Sequence, residues 1–105
     1  MQAIETGKQE GCVTVIKFTA AWCGPCRAIA PAVHRMAQEM RNVQFVSIDG
    51  DLPAMRQTLS ALGIRAFPTF LLYVDGRQIG QVRGADERKL RAAIGVAQED
   101  ADEAK

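Results

Sequence analysis

Short apolar runs alternate along the chain with segments in which apolar residues recur at helical spacing. The run VTVIKF, Val13–Phe18, is rich in β-branched and aromatic residues, follows Gly11, and predicts a strand buried on both faces. Pro25–Arg41 predicts an amphipathic helix, directly after that strand, that continues past Pro31. Its apolar stripe consists of Ile29, Val33, Met36, Ala37 and Met40.

The middle of the chain predicts a further strand and a short helix. Val43–Ile48, VQFVSI, has the composition of a strand and is followed by the turn residues of DGDLP. Apolar residues at helical spacing within Met55–Leu62 then predict a short helix that ends at Gly63.

The last part of the chain predicts a hairpin and a final helix. Thr69–Val74 and Arg77–Val82 have the composition of strands, and the Asp75-Gly76 pair between them is a strong hairpin signal. We therefore expect these two strands to pair antiparallel. After Asp86, one face of a helix is formed by Leu90, Ala93, Ile94 and Ala97.

The order strand, helix, strand, helix, strand, strand, helix predicts an α/β fold. A helical crossover favours parallel pairing in the first half, whereas the hairpin is antiparallel, so we expect a central mixed β-sheet flanked by helices. No linker-like stretch divides the 105 residues, which predicts one domain spanning residues 1–105. The polar stretch at residues 98–105 is expected to be a frayed acidic tail.

Composition and charge narrow the classes of function. The 13 basic and 12 acidic side chains are scattered and give a net charge of +1, which predicts neither nucleic-acid binding nor attraction to a membrane surface. No apolar run is long enough to span a membrane, and the first residues lack the pattern of a secretory signal. We therefore expect a cytoplasmic protein.

The candidate chemistry lies in WCGPC, Trp22–Cys26, where the first strand meets the first long helix. An ordinary cysteine, with a pKa of about 8.5, is mostly protonated at neutral pH, but a helix N-terminus favours the reactive thiolate. We therefore expect Cys23 to be an exposed nucleophile and Cys26, one turn later and facing inward, to be the resolving cysteine. Gly24 would let a partner approach, and Pro25 would stiffen the loop.

Two other interpretations of the cysteine pair are disfavoured. A zinc site needs about four ligands, and only Cys12 and His34 could complete the set. Cys12 is roughly 20 Å from the far end of the first strand, and His34 is roughly 12 Å from Cys26 along the helix. An inert structural disulfide between Cys23 and Cys26 would close too small a loop to stabilise the fold much. Cys12 itself is most simply a core or edge residue, with regulatory oxidation or dimerisation through it as the alternatives.

The motif and the segment IRAFPTFLLYVDGRQIGQVRGA, Ile64–Ala85, closely resemble the thioredoxin family, and the likeness extends over Val13–Ala97. The resemblance implies a thioredoxin fold and a protein-disulfide reductase that maintains cell redox homeostasis. It also implies that no cofactor is bound and that electrons come from NADPH through a thioredoxin reductase. The expected partners are that reductase and disulfide-containing client proteins, with the chain acting as a monomer.

The resemblance also implies which residues bind substrate. Pro68 should follow a cis peptide bond after Phe67 and face the cysteines across the site, as a proline at the start of a strand can. The backbone before this proline should pair with the client chain. Trp22, Phe67 and the neighbourhood of Gly84 should form the apolar docking surface.

The chain departs from the family pattern in three places. By the resemblance, residues 1–12 are expected to form a shortened N-terminal segment. The resemblance also implies a buried aspartate beneath Cys26 at the position of Lys17, and a lysine paired with that aspartate at the position of Ser47. A neutral Lys17 could accept the proton of Cys26, whereas a charged one would favour the thiolate and raise the reduction potential. As a third alternative, its ammonium extends to water and leaves the chemistry unchanged.

The sequence is also compatible with two other functions. The segments VIKFT and GAD are similar to those in the thioredoxin-like domain of a larger, proteasome-associated protein, so the chain could be a redox or adaptor domain. A disulfide oxidase or isomerase on the same fold would need a more oxidising cysteine pair than Gly-Pro in the motif usually implies.

Overall fold

Residues 11–103 are described by a computed structural model, and within them the predicted strands and helices are all confirmed, with small differences at their ends. The expectation of a shortened segment at residues 1–12 lies mostly outside this range. The elements are β1 (Val13–Thr19), α1 (Gly24–Glu39), β2 (Val43–Asp49), a 3-10 turn (Pro53–Met55), α2 (Arg56–Leu62), β3 (Thr69–Val74), β4 (Arg77–Arg83) and α3 (Glu87–Glu103).

The strands form one mixed sheet in the order β2-β1-β3-β4. β1 pairs parallel with β2, with Lys17 opposite Ser47, and antiparallel with β3, with Phe18 opposite Thr69. The hairpin strands β3 and β4 are antiparallel. The predicted mixture of pairings is therefore confirmed, and β1 has a hydrogen-bonded neighbour on each side.

The two faces of β1 contribute to two separate cores, as expected for a strand buried on both sides. Val13 and Val15 pack in a cluster that also contains buried side chains of α1 and α3. Ile16 and Phe18 pack in a second cluster with residues around α2 and in β3. The odd-numbered positions of β1 therefore face α1, and Lys17 is one of them.

The final helix is longer than the sequence predicted. A frayed tail was expected from residue 98, but α3 continues to Glu103. Ala97 and Ala101, which are four residues apart and so lie on one helix face, are buried in the core, and Asp100 pairs with Arg77 at 3.2 Å. These contacts explain why this acidic stretch is helical. None of the helices within residues 11–103 is long and apolar enough to cross a membrane.

Candidate active site

The junction of β1 and α1 holds the two cysteines. Cys23 is the N-cap residue of α1, and the backbone N–H of Cys26 donates to its Sγ over 3.2 Å. The two cysteines are joined by a disulfide, and their Cα atoms are 5.3 Å apart. An unpaired N–H at a helix N-terminus favours negative charge on this sulfur, so the position suits a cysteine that must become a thiolate.

The residues between the cysteines leave the outer side of the motif open. Pro25 lies in the first turn of α1, where its missing N–H breaks no helical hydrogen bond. Gly24 is exposed, and a Cβ built on it would have no atom within 4 Å, so a partner chain has room to approach here.

Cys23 is buried, whereas the sequence predicts an exposed nucleophile. Both cysteines are only 2% exposed and form a small cluster with Ala20, against which Phe67 packs. The Sγ of Cys23 lies 3.5 Å from the carbonyl oxygen of Phe67. The prediction was wrong because the covering residue comes from a segment remote in sequence, which local helix geometry does not reveal.

The loop before β3 faces the cysteines. The Phe67–Pro68 peptide bond is cis, as predicted, and the Thr69 hydroxyl fixes the loop by donating to the Ala66 carbonyl over 2.7 Å. The N–H of Gly84 donates to the Pro68 carbonyl over 2.8 Å. Gly84 has a φ of +89°, a conformation that favours glycine, so this hydrogen bond depends on the residue type.

The predicted docking residues are thus brought together around the disulfide. The ring of Trp22, which is 64% exposed, meets the ring of Phe67 edge-on with centroids 5.9 Å apart. An exposed tryptophan beside a nearly buried disulfide leaves an apolar surface without a covering partner in residues 11–103. We call this surface, formed by Trp22, Phe67 and Gly84, the docking surface.

Gly50 is a site residue that the sequence analysis missed. A Cβ at this position would lie 2.5 Å from an atom of the Phe67 ring, closer than side chains can approach. The N–H of Gly50 also donates to the carbonyl of Thr19, the last residue of β1, over 2.8 Å. A glycine here therefore lets Phe67 lie against the cysteines.

A cavity of about 450 Å³ lies beside Cys26 on the inner side of the motif. Lys17, Asp49 and Arg27 contribute its charged lining, and Lys17 is half-buried. Burial lowers the pKa of Lys17, because the ammonium loses hydration. Asp49 and Arg27 are not among the site residues predicted from the sequence. The alternation of side chains in β2 could have indicated Asp49, which lies two residues after Ser47 and on the same face.

The residues of the rejected zinc interpretation lie apart from this site. Cys12 is half-buried just before β1, and His34 is exposed on α1. Within residues 11–103, no three His, Cys, Asp or Glu side chains cluster as metal ligands would.

Comparisons with known proteins agree with this geometry. The family model described as Thioredoxin matches residues 4–95. Thioredoxin Asp f 29 of Aspergillus fumigatus is 42% identical over 89 residues, which are 82% of this chain and 79% of that protein. Thioredoxin-3 of Dictyostelium discoideum is 39% identical over 80 residues, covering 76% and 75%. The X-ray structure of Fasciola hepatica thioredoxin has a TM-score of 0.80 at 35% identity, covering 91% of this chain and 88% of that one.

Gly50→Ala should push the Phe67 ring away from Cys23, since the added methyl group overlaps it. We expect the disulfide to become more accessible, so that dithiothreitol reduces it several-fold faster. Gly95→Ala is the matched control, because a Cβ at this helical position meets nothing within 4 Å. Tryptophan fluorescence follows the reduction. Equal reduction rates for both variants and the parent chain would contradict the covering role of Phe67.

Proposed function

The chain belongs to the thioredoxin family, and we propose that it reduces client disulfides with Cys23 as the attacking sulfur and Cys26 as the resolving one. It is a protein-disulfide oxidoreductase whose redox centre is the Cys23–Cys26 couple. The observation that carries these separate roles is the N–H of Cys26 directed at the sulfur of Cys23, at the N-terminus of α1.

The reaction consists of two thiol–disulfide exchanges. The Cys23 thiolate attacks one sulfur of the client disulfide, forms a mixed disulfide and releases the other client sulfur as a thiolate. The Cys26 thiolate then attacks the Sγ of Cys23, which restores the Cys23–Cys26 disulfide and releases the second client sulfur. Two electrons pass to the client, and its two thiolates take up protons from the medium.

The docking surface positions the client for this exchange. Its chain would run along the backbone of Phe67, whose carbonyl already lies beside the Cys23 sulfur, in the manner of an added β-strand. Trp22 and the open space above Gly24 would receive the residues that flank the client cysteine. Binding in this way displaces water from the exposed apolar rings, which favours the complex.

The couple must be reduced again after each turnover. We assign this step to a thioredoxin reductase that supplies two electrons from NADPH, with the chain acting as a monomer in cytoplasmic redox homeostasis. No cofactor need be bound, since both redox states are held by the two sulfurs. The disulfide-containing clients and the reductase would use the same docking surface, because both must reach Cys23.

Lys17 acts on Cys26 through its charge and does not itself react. Both residues line the cavity inside the motif. The resemblance to the family implies that a carboxylate is usual at the position of Lys17. Lys17 is only half-buried, although burial lowers its pKa, and the proposed role requires its charged form. A nearby positive charge favours the Cys26 thiolate, which is the form that resolves the mixed disulfide.

Capture of a mixed disulfide tests the assignment of the two cysteines. Cys26→Ser should accumulate a covalent adduct with a disulfide-containing client, because no thiolate remains to release it. Cys23→Ser should form no such adduct. Non-reducing electrophoresis and mass spectrometry measure the adduct, and capture by Cys23→Ser instead would contradict the assignment.

Lys17→Met should slow resolution by Cys26 several-fold at neutral pH, because the thiolate loses a favourable charge. The rate rises with pH as the thiolate forms, so its pH profile should move to higher pH, by up to about one unit for a partly solvated pair. Lys17→Arg should restore the profile, and Lys89→Met, which removes an exposed charge on α3, should not move it. Stopped-flow release of a labelled client gives the rate, and an unmoved profile for Lys17→Met would refute this role.

A further inference from the structure

A cleft of about 340 Å³ lies between α2 and the loop that leads to Pro68. Two of the residues that line it are arginines, Arg56 and Arg65, and one is Ser60. The remaining lining residues carry no charged side chain: Leu59, Gly63 and Ile64. Two guanidinium groups in one cleft make its electrostatic potential positive, and none of the residues that line it carries a compensating carboxylate. We call it the arginine cleft.

Neither arginine forms a salt bridge within residues 11–103. The salt bridges found within residues 11–103 use Arg35, Arg77 and Arg91 only. Asp49, at the end of β2, lines the cavity beside Cys26 instead, and its Oδ1 accepts a hydrogen bond from the N–H of Asp51. The guanidinium donors of Arg56 and Arg65 are therefore available to a ligand, and both side chains are exposed.

The position of the cleft connects it with the docking surface. Arg65 precedes Phe67 by two residues, so their Cα atoms are at most about 7 Å apart, and an arginine side chain spans a similar distance. The Phe67 carbonyl is 3.5 Å from the Cys23 sulfur. A client chain lying along Phe67 would thus carry its neighbouring side chains past the arginine cleft.

We propose that the arginine cleft binds an aspartate or glutamate side chain located near the disulfide of the client protein. A carboxylate offers two acceptor oxygens, which match the forked donors of Arg56 or Arg65, and the Ser60 hydroxyl is a further donor. The cleft therefore selects clients with an acidic residue beside the reacting cysteine. This inference rests on the proposed reductase function and adds a substrate class to it.

A pair of disulfide peptides that differ only in one glutamate or glutamine beside the reacting cysteine tests this selection. For each protein, kcat/KM for the glutamate peptide is divided by kcat/KM for the glutamine peptide. The proteins are the parent chain, a double variant that combines Arg56→Gln and Arg65→Gln, and the control variant Arg41→Gln. Arg41 is exposed and lies between α1 and β2, at the end of the sheet opposite the cysteines, so the control removes a similar charge. Because a ratio is compared, a variant that folds incompletely still gives a valid result.

For the parent chain we expect a ratio of about three to five, the range of an exposed ion pair, decreasing as salt is added. The double variant should reduce the ratio to about one, and Arg41→Gln should leave it unchanged. A parent ratio of one, or a preference that survives in the double variant, would overturn the proposal while leaving the reductase function intact. A parent chain that reduces neither peptide would instead refute the proposed function, and this inference with it.

Discussion

The active site depends on the position of β1 between two hydrogen-bonded neighbours. Because β1 runs antiparallel to β3, the end of β1 at Phe18 lies opposite the beginning of β3 at Thr69. The cysteine motif follows the end of β1, and the Phe67–Pro68 loop directly precedes β3. Strand pairing alone therefore brings together segments 44 residues apart, as the contact between the Cys23 sulfur and the Phe67 carbonyl shows.

Two opposing requirements meet at Cys23. The N-terminus of α1 favours a charged, reactive sulfur, whereas Phe67 shields the same sulfur almost completely from solvent in the disulfide form. In the proposed function, this shielding would limit indiscriminate exchange, and the exposed ring of Trp22 would be the contact through which a client reaches the sulfur. On the inner side, Lys17 lines the cavity beside Cys26, where a positive charge would favour the thiolate of the resolving cysteine.

Much of this arrangement was accessible from the sequence. Helices and strands were predictable because each has an apolar pattern with a single period, as in Val13–Phe18. The place of Cys23 at a helix start followed from the motif, and the cis bond before Pro68 followed from the family resemblance. Three features were not predictable, since they depend on contacts between remote segments. Ala101 is apolar but small and lies among acidic residues, so its burial gave little signal. The shielding of Cys23 and the need for glycine at position 50 both come from Phe67, which is placed by the sheet.

The reduction potential of the Cys23–Cys26 couple is the most direct test of the central claim that this chain is a reductase. It is measured by equilibrating the protein in glutathione or dithiothreitol redox buffers and quantifying the oxidised and reduced forms. The account predicts a value close to the thioredoxin figure of about −270 mV, with any displacement caused by Lys17 directed upward. A value of about −180 mV or above, the range of disulfide isomerases and stronger oxidants, would contradict it and assign the chain to disulfide formation or isomerisation.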